Sequence, residues 1–392
     1  MTTSKFGKAL RKDFLIESSC TPLNHGSYGA FPRIVQQKLR EYEDLCEAFP
    51  DRFKRIEMYP LLRKNREVLA TILHCDADDL AFTTNASNAA NTILRSFPFE
   101  EGDKILYFDT GYVNVTSTLE FIKNYRKVKL VKIALKYPLN DIEIADLVEE
   151  TIKTENAKGG KPIRMAIIDV LSSLPGVLFP YKRINELCHE NNILTILDGA
   201  HSIGQVPINL NEIKPDFYFT NVHKWFFVKR GHCVMYISKP QKGFVHPSTI
   251  NSAYQHHDDA SDASSFENEF ASPGTIDHAS FLTIADAFQY RKSLGGALVA
   301  DILGTQVMEN DDKTLTASMV NVELPLKTTL PENEIGKTII KKLIYEHNTM
   351  ASPFKNNGRW WIRLCAQVYL ELDDFKTGGE AILKVCQDLN KL

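Results

Sequence analysis

The chain has 392 residues, with 46 lysines and arginines against 49 aspartates and glutamates, for a net charge of −3. Apolar residues make up 43% and charged residues 24%, which excludes wholesale disorder and leaves material for two or three domains. The near-neutral balance excludes a surface built to coat nucleic acid or an anionic membrane, so neither is expected as a partner.

Pro32 stands at the first turn of a helix expected over residues 34–49, where Ile34, Leu39, Leu45, Cys46 and Phe49 fall near helical spacing. Residues 61–73 repeat the pattern. Short β-rich runs then alternate with helical stretches. The runs are Leu80–Thr84, Lys104–Phe108, Val128–Ala134, Arg164–Val170, Ile193–Leu197, Phe217–Thr220 and Cys233–Ile237. The helical stretches include 87–97, 113–125, 140–154 and 182–191. Such alternation implies βαβ crossovers and a mainly parallel sheet flanked by helices, with ligands at the carboxyl ends of the strands. Residues 241–275, rich in Ser, Asp, His and Asn, read as a long loop. A helix over about 278–293 then leads to a smaller α+β unit, with strands Val322–Leu324 and Trp360–Leu364 and helices near 333–346 and 377–389.

The seven cysteines are Cys20, Cys46, Cys75, Cys188, Cys233, Cys365 and Cys386. No two are spaced as in a CxxC motif, and the odd, scattered set fits a reducing compartment. The longest apolar stretch, Met165 to Tyr181, is broken by Asp169, Ser172, Ser173, Pro175 and Pro180, so no membrane span is expected. No apolar core follows the first basic residues, so no signal peptide is expected. Asn390-Lys391-Leu392 echoes the Ser-Lys-Leu peroxisomal address only as a chance match. The expected location is the cytoplasm, with nuclear entry left open.

Three sites collect chemistry at strand ends. Thr83-Thr84-Asn85-Ala86-Ser87-Asn88 feeds a helix N-terminus, where free backbone N–H groups make an anion site. A plain helix cap explains it equally well, and no Gly-rich nucleotide loop follows any strand. Asp198-Gly199-Ala200-His201 closes an apolar run, and a carboxylate there is costly unless it meets a cation or donor. A turn-capping aspartate is the bland alternative. In Asn221-Val222-His223-Lys224-Trp225 a lysine among aromatics has a lowered pKa if desolvated, whereas a lone lysine usually snorkels to water. Together the three supply what pyridoxal phosphate requires: a phosphate holder, an acid for the pyridine nitrogen and a lysine for the aldehyde.

These segments, with Leu23-Asn24-His25-Gly26-Ser27-Tyr28-Gly29, Gly274-Thr275-Ile276-Asp277 and Trp361-Ile362-Arg363, resemble the class V, fold-type I pyridoxal-phosphate enzymes over nearly the whole chain. The resemblance implies a segment 1–25 packing on the small domain, a large cofactor domain 26–277 and a small domain 278–392. It implies that Lys224 binds the cofactor aldehyde, Asp198 pairs with the pyridinium and His201 hydrogen-bonds the phenolic oxygen. Ala86, Ser87, Asn221 and His223 hold the phosphate, and Thr275 reaches the phosphate of the neighbouring subunit in a homodimer. Tyr112 stacks on the ring and can act as an acid, and Arg363 clamps the substrate carboxylate, with Asn24 and His25 beside it.

A desulfurase of this kind needs a mobile cysteine shortly before the carboxylate arginine, and residues 351–362 contain none. Cys365 reads as core. The opening Asn24-His25-Gly26-Ser27-Tyr28-Gly29 is similar to the isopenicillin N epimerase-like branch, which includes carbon–sulfur lyases. Within it the chain is most similar to the hercynylcysteine sulfoxide lyases of ergothioneine biosynthesis. The expected reaction is cleavage of a cysteine conjugate at Cβ–S to pyruvate and ammonia. Cysteine desulfhydrase, epimerase, aminotransferase and an inactive scaffold keeping the fold remain alternatives. His246, His256, His257, Asp258 and Asp259 have no spacing to converge on a metal, and none is expected. Gly295-Gly296 reads as a helix break.

Overall fold

The computed structural model describes residues 7–254, 263–271, 273–290, 308–310 and 314–392. Helices α1 (Arg33–Ala48) and α2 (Met58–Leu73) precede a sheet whose first six strands are β1 (Leu80–Thr83), β2 (Lys104–Phe108), β3 (Lys129–Ile133), β4 (Ile163–Asp169), β5 (Leu194–Asp198) and β6 (Phe217–Asn221). Between them lie α3 (Ala86–Ser96), α4 (Val113–Arg126), α5 (Asp141–Ala157) and α6 (Tyr181–Glu190). A one-turn helix, α7 (Val222–Trp225), separates β6 from β7 (Cys233–Ile237).

The seven strands run in the order β1-β7-β6-β5-β4-β2-β3. Strands β2 to β6 are mutually parallel, and β7 is antiparallel to both β6 and β1. It follows that β1 points the same way as β6, so the carboxyl ends of β1, β2, β4, β5 and β6 share one edge. The central strands β4, β5 and β6 are largely buried and apolar on both faces because helices cover both, whereas edge strand β3 exposes Lys129 and Lys132. In β4, Met165 and Ile167 pack into one layer and Ala166 and Ile168 into the other, the alternation that a pleated strand imposes.

Local chemistry sets the boundaries. Asn85 caps α3 by accepting from the Asn88 N–H at 2.9 Å. Asn140 and Glu143 form a reciprocal capping box at the start of α5. His74, in the left-handed region at φ 52°, ends α2.

The expected loop 241–275 is corrected in part. Residues Lys239–Phe244 form a 3-10 turn and Ala263–Ala271 a helix, α8, on which Phe266 and Phe270 are buried. Phe266 and Phe270 lie four apart, and this apolar pair was masked in the sequence by the polar residues around it. The helix expected to 293 is described from Phe281 to Tyr290, as a 3-10 turn followed by α9 (Ile284–Tyr290). Its end, Gly295-Gly296, and His256, His257, Asp258 and Asp259 lie outside the described residues.

The C-terminal unit is an antiparallel sheet in the order β8-β10-β9, from β8 (Met319–Glu323), β9 (Ser352–Asn356) and β10 (Arg359–Cys365), with helices α10 (Glu332–His347) and α11 (Leu372–Leu389). Strand β9 was not among the expected strands. Pro353 sits on the edge strand, where its missing N–H costs nothing. The side chain of Asn321 accepts from the Gly176 N–H at 2.9 Å and donates to its carbonyl at 3.1 Å, tying β8 to the loop after β4. The N-terminal segment joins the same unit: Gly7 N–H donates to Val368, Cys365 N–H to Leu23, and Arg11 pairs with Asp374.

Gly29 closes the turn after the one-turn helix His25–Tyr28, at φ 68° and ψ 167°. That region is nearly closed to other residues, and a Cβ would lie 1.8 Å from the His223 carbonyl oxygen. Gly29→Ala should therefore cost about 2 kcal/mol or more. A denaturation midpoint equal to the wild type's would refute this account of the turn.

Candidate active site

The shared strand edge opens into a cavity of about 380 Å³. The ends of β1 and β2 contribute Asn85, Ala86, Ser87, Tyr112 and Asn114. The ends of β4, β5 and β6 contribute Asp169, Asp198, His201, Asn221, His223 and Lys224. Chain positions far apart meet here because a parallel sheet returns every carboxyl end to one edge.

At the α3 N-terminus, the Ala86 N–H donates to Asn221 Oδ1 at 3.0 Å, and Asn114 donates to Ser87 Oγ at 2.9 Å. The positive end of α3 thus faces the cavity with hydroxyl and amide groups already oriented. His223 is buried, and its Nδ1 bonds the His232 carbonyl at 2.9 Å. Desolvation holds its pKa down at about 4, so the ring is neutral.

Asp198 and Asp169 are opposite one another on neighbouring parallel strands, and both are buried. Burial raises both carboxyls, and the Asp198 charge raises Asp169 further. Asp169 accepts from Thr110 Oγ1 at 3.0 Å. Asp198 accepts from the Ala200 N–H at 3.0 Å and feels the charge of Lys224. Asp198 is therefore the member of the pair held toward ionisation. Asp169 escaped the sequence reading, although a carboxylate ending an apolar strand was the same signal that singled out Asp198.

Lys224 Nζ lies 3.0 Å from His201 Nε2. Burial, and secondarily the nearby Arg363 guanidinium, lower its pKa to about 8. About a tenth of the amine is thus neutral at pH 7, far more than for an ordinary lysine. His201 is buried and held well below its usual pKa, first by desolvation and then by Lys224. The indole N–H of Trp225 donates to His201 Nδ1 at 3.2 Å.

Arg363, on β10, is 1% exposed. It donates to the Ser173 carbonyl at 2.6 Å and hydroxyl at 3.3 Å, to Asn24 Oδ1 at 3.1 Å and to Ser27 Oγ at 3.2 Å, while Nε has no partner. Ser173 and Ser27 themselves line the cavity. Asn24 serves to orient Arg363. His25 is turned away into the core, with Nδ1 2.7 Å from the Tyr369 hydroxyl, and does not line the cavity. Thr275 is exposed and also outside the cavity lining. Tyr112 is 44% exposed at the mouth. Two lining residues not foreseen, Arg230 and Gly231, sit there too, and Arg230 donates to the Gly29 carbonyl at 2.9 Å.

A model of the class-V aminotransferase family matches residues 31–321. The chain belongs to this family. It is 29% identical to an L-cysteine desulfhydrase-like protein, lolT1, of Epichloe uncinata, over 98% of this chain and 96% of that one. It is 28% identical to the hercynylcysteine sulfoxide lyase of Schizosaccharomyces pombe, over 97% of this chain and 98% of the other. Its fold is similar to that of a cysteine desulfurase from Thermococcus onnurineus NA1, with a TM-score of 0.75 at 15% identity, covering 99% and 100% of the two chains. It is also similar to a lysine-to-alanine mutant of C-DES with glycine covalently linked to its pyridoxal-phosphate cofactor, with a TM-score of 0.77 at 16% identity, covering 95% and 98%. The chain is a pyridoxal-phosphate enzyme of the carbon–sulfur lyase type. The site fits that cofactor: a buried acid and an amine of lowered pKa line one cavity whose rim is a helix N-terminus.

Among the described residues no cluster could hold a metal ion. His246 instead pairs with Glu269 at 2.8 Å. No described helix is long and apolar enough to cross a membrane.

Because the folded-state pKa of Lys224 is depressed to about 8, its neutral form should dominate above that pH. The rate at which cofactor-free protein captures pyridoxal phosphate, followed by absorbance, should rise with pH to a midpoint near 8. A midpoint at the ordinary lysine value would disprove the desolvation of Lys224, and Lys224→Ala should remove the capture.

Proposed function

We propose that the protein cleaves the Cβ–S bond of a cysteine conjugate, with hercynylcysteine sulfoxide the favoured substrate, in ergothioneine biosynthesis. The observation that carries the reading is the pairing in one cavity of the Lys224 amine and the Asp198 carboxyl, with no cysteine among the described residues that line it. A desulfurase needs such a thiol. Cys233 and Cys365 are both fully buried, and desolvation pushes the Cys233 thiol up, the reverse of a nucleophile's environment.

Bound pyridoxal phosphate supplies an electron sink conjugated to the substrate Cα. Asp198 would keep a proton on the ring nitrogen, and the charge it can carry in that buried site makes this effective. Lys224, displaced by the substrate's amine, would take the Cα proton on Nζ, a task suited to an amine of pKa about 8. Arg363 would hold the α-carboxylate by exchanging its Ser27 and Ser173 partners for the two carboxylate oxygens. Tyr112 would give its hydroxyl proton to the departing oxygen, so that sulfur leaves as a sulfenic acid. The three-carbon remainder takes up water and ends as pyruvate and ammonia. Ala86, Ser87, Asn221 and His223 would hold the phosphate. The family resemblance assigns Thr275, which stands outside its own chain's cavity, to the neighbouring subunit's phosphate, and the working unit would then be a homodimer.

Cysteine desulfhydrase activity is the second reading, favoured by the likeness to the Epichloe protein. The two separate by substrate: pyruvate formed faster from the sulfoxide conjugate than from free cysteine, with no keto acid supplied, supports the first. A strict keto-acid requirement would overturn both. Arg363→Lys should retain cofactor yet raise KM by about tenfold or more, because an ammonium cannot reproduce the bidentate fork. An unchanged KM would refute the carboxylate assignment.

A further inference from the structure

We propose that Trp225 is a positioning residue that fixes the His201 tautomer and thereby biases Lys224 toward its reactive, neutral form. The inference rests on Lys224 being the residue that captures the cofactor aldehyde, and it assigns a role to a side chain that does not line the cavity.

An indole N–H can only donate. With Trp225 Nε1 at 3.2 Å, His201 Nδ1 must therefore carry a lone pair, and in a neutral imidazole the single proton is then on Nε2. Nε2 lies 3.0 Å from Lys224 Nζ. An ammonium has no lone pair to receive that N–H, whereas a neutral amine has one. The chain Trp225–His201–Lys224 is satisfied throughout only when Lys224 is uncharged. Protonating His201 on Nδ1 would set two N–H groups against each other in a buried place.

The indole has little freedom to abandon this bond. Trp225 is 3% exposed and His201 is buried. A Cβ on Gly26 would meet Trp225 Cζ2 at 2.9 Å, so the glycine clears the space in which the ring sits. The His25 ring packs on the indole at 5.3 Å between centroids.

The other groups acting on the pair do not set the tautomer. Lys224 feels Arg363 from β10, Asp198 from β5, Cys365 from β10 and Cys233 from β7. His201 feels Lys224, Arg363 and His223. Behind them, Asp198 acts on Asp169, and Arg230 acts on His25 and His223. None of these donates a hydrogen bond to His201 Nδ1.

In Trp225→Phe the ring is retained and the donor lost. The Nδ1–H tautomer then becomes available, its Nε2 accepts from the Lys224 ammonium, and the charged amine gains a partner. Two measurements test this. In cofactor-free, 15N-histidine-labelled wild type, NMR should show His201 protonated on Nε2 and bare on Nδ1 across the neutral range. The Nδ1–H form should appear in Trp225→Phe. The pH midpoint for capture of pyridoxal phosphate should rise by about one unit in the variant, making capture about tenfold slower at neutral pH and equal at high pH. A merely structural loss would slow capture in the same proportion at every pH. A wild-type His201 protonated on Nδ1, or an unshifted midpoint with capture intact, would overturn the inference. Failure of the wild type to capture the aldehyde at any pH would instead overturn the assignment of Lys224, and the NMR result would still decide the tautomer.

Discussion

An amine and a carboxyl withdrawn from water into one cavity are the constraint around which this protein is built. Each alone would be driven to its neutral form by desolvation. Lys224 is so driven, to a pKa of about 8, and Asp198 is pushed up as well. Mutual attraction and the Ala200 N–H offset part of the cost for Asp198. The chemistry of a lyase follows from this balance, because the base must be neutral often enough to accept a proton while the acid must still be able to bear charge beneath a heterocycle.

The fold meets that constraint by topology. Parallel strands β2 to β6 and the co-directed β1 bring their carboxyl ends to one edge, and residues from Asn85 to Lys224 converge there. The small sheet brings Arg363 from the far end of the chain to lie behind the cavity-lining Ser27 and Ser173. Its guanidinium is presented ready-oriented by Asn24, Ser27 and the Ser173 loop. Hydroxyl partners of this kind are exchangeable for a carboxylate, while the buried aliphatic stem keeps the group in place. The reciprocal amide pair of Asn321 with Gly176 fixes the two sheets relative to one another at the same point.

Much of this was legible in residues. The runs from Lys104–Phe108 to Cys233–Ile237 became strands within about one or two residues of their expected ends, because apolar β-branched and aromatic runs bounded by turn residues have few other outcomes. Asp198 and Lys224 stood out as charged groups at the ends of such runs. Other features were hidden. Helix α8 was obscured because its apolar residues are few and lie within a polar stretch. Asp169 was passed over because a lone acid breaking an apolar segment looks like the end of a strand and nothing more. His25 was expected beside the substrate carboxylate, but its Nδ1 meets Tyr369 and its ring lies outside the cavity lining, and no pattern in the chain could have announced which way the ring turns.

The sequence by itself determined the order of elements, the parallel sheet and the three chemical groups at its rim, since periodicity and strand-end chemistry act over a few residues. Only the tertiary structure decided that Asp169 stands opposite Asp198, that Arg363 reaches across from another sheet, and that an indole, an imidazole and an amine form one line of hydrogen bonds. Those relations depend on strand register and on distances between segments up to 339 residues apart, as with Asn24 and Arg363. Packing alone sets them, because no local propensity acts over such separations.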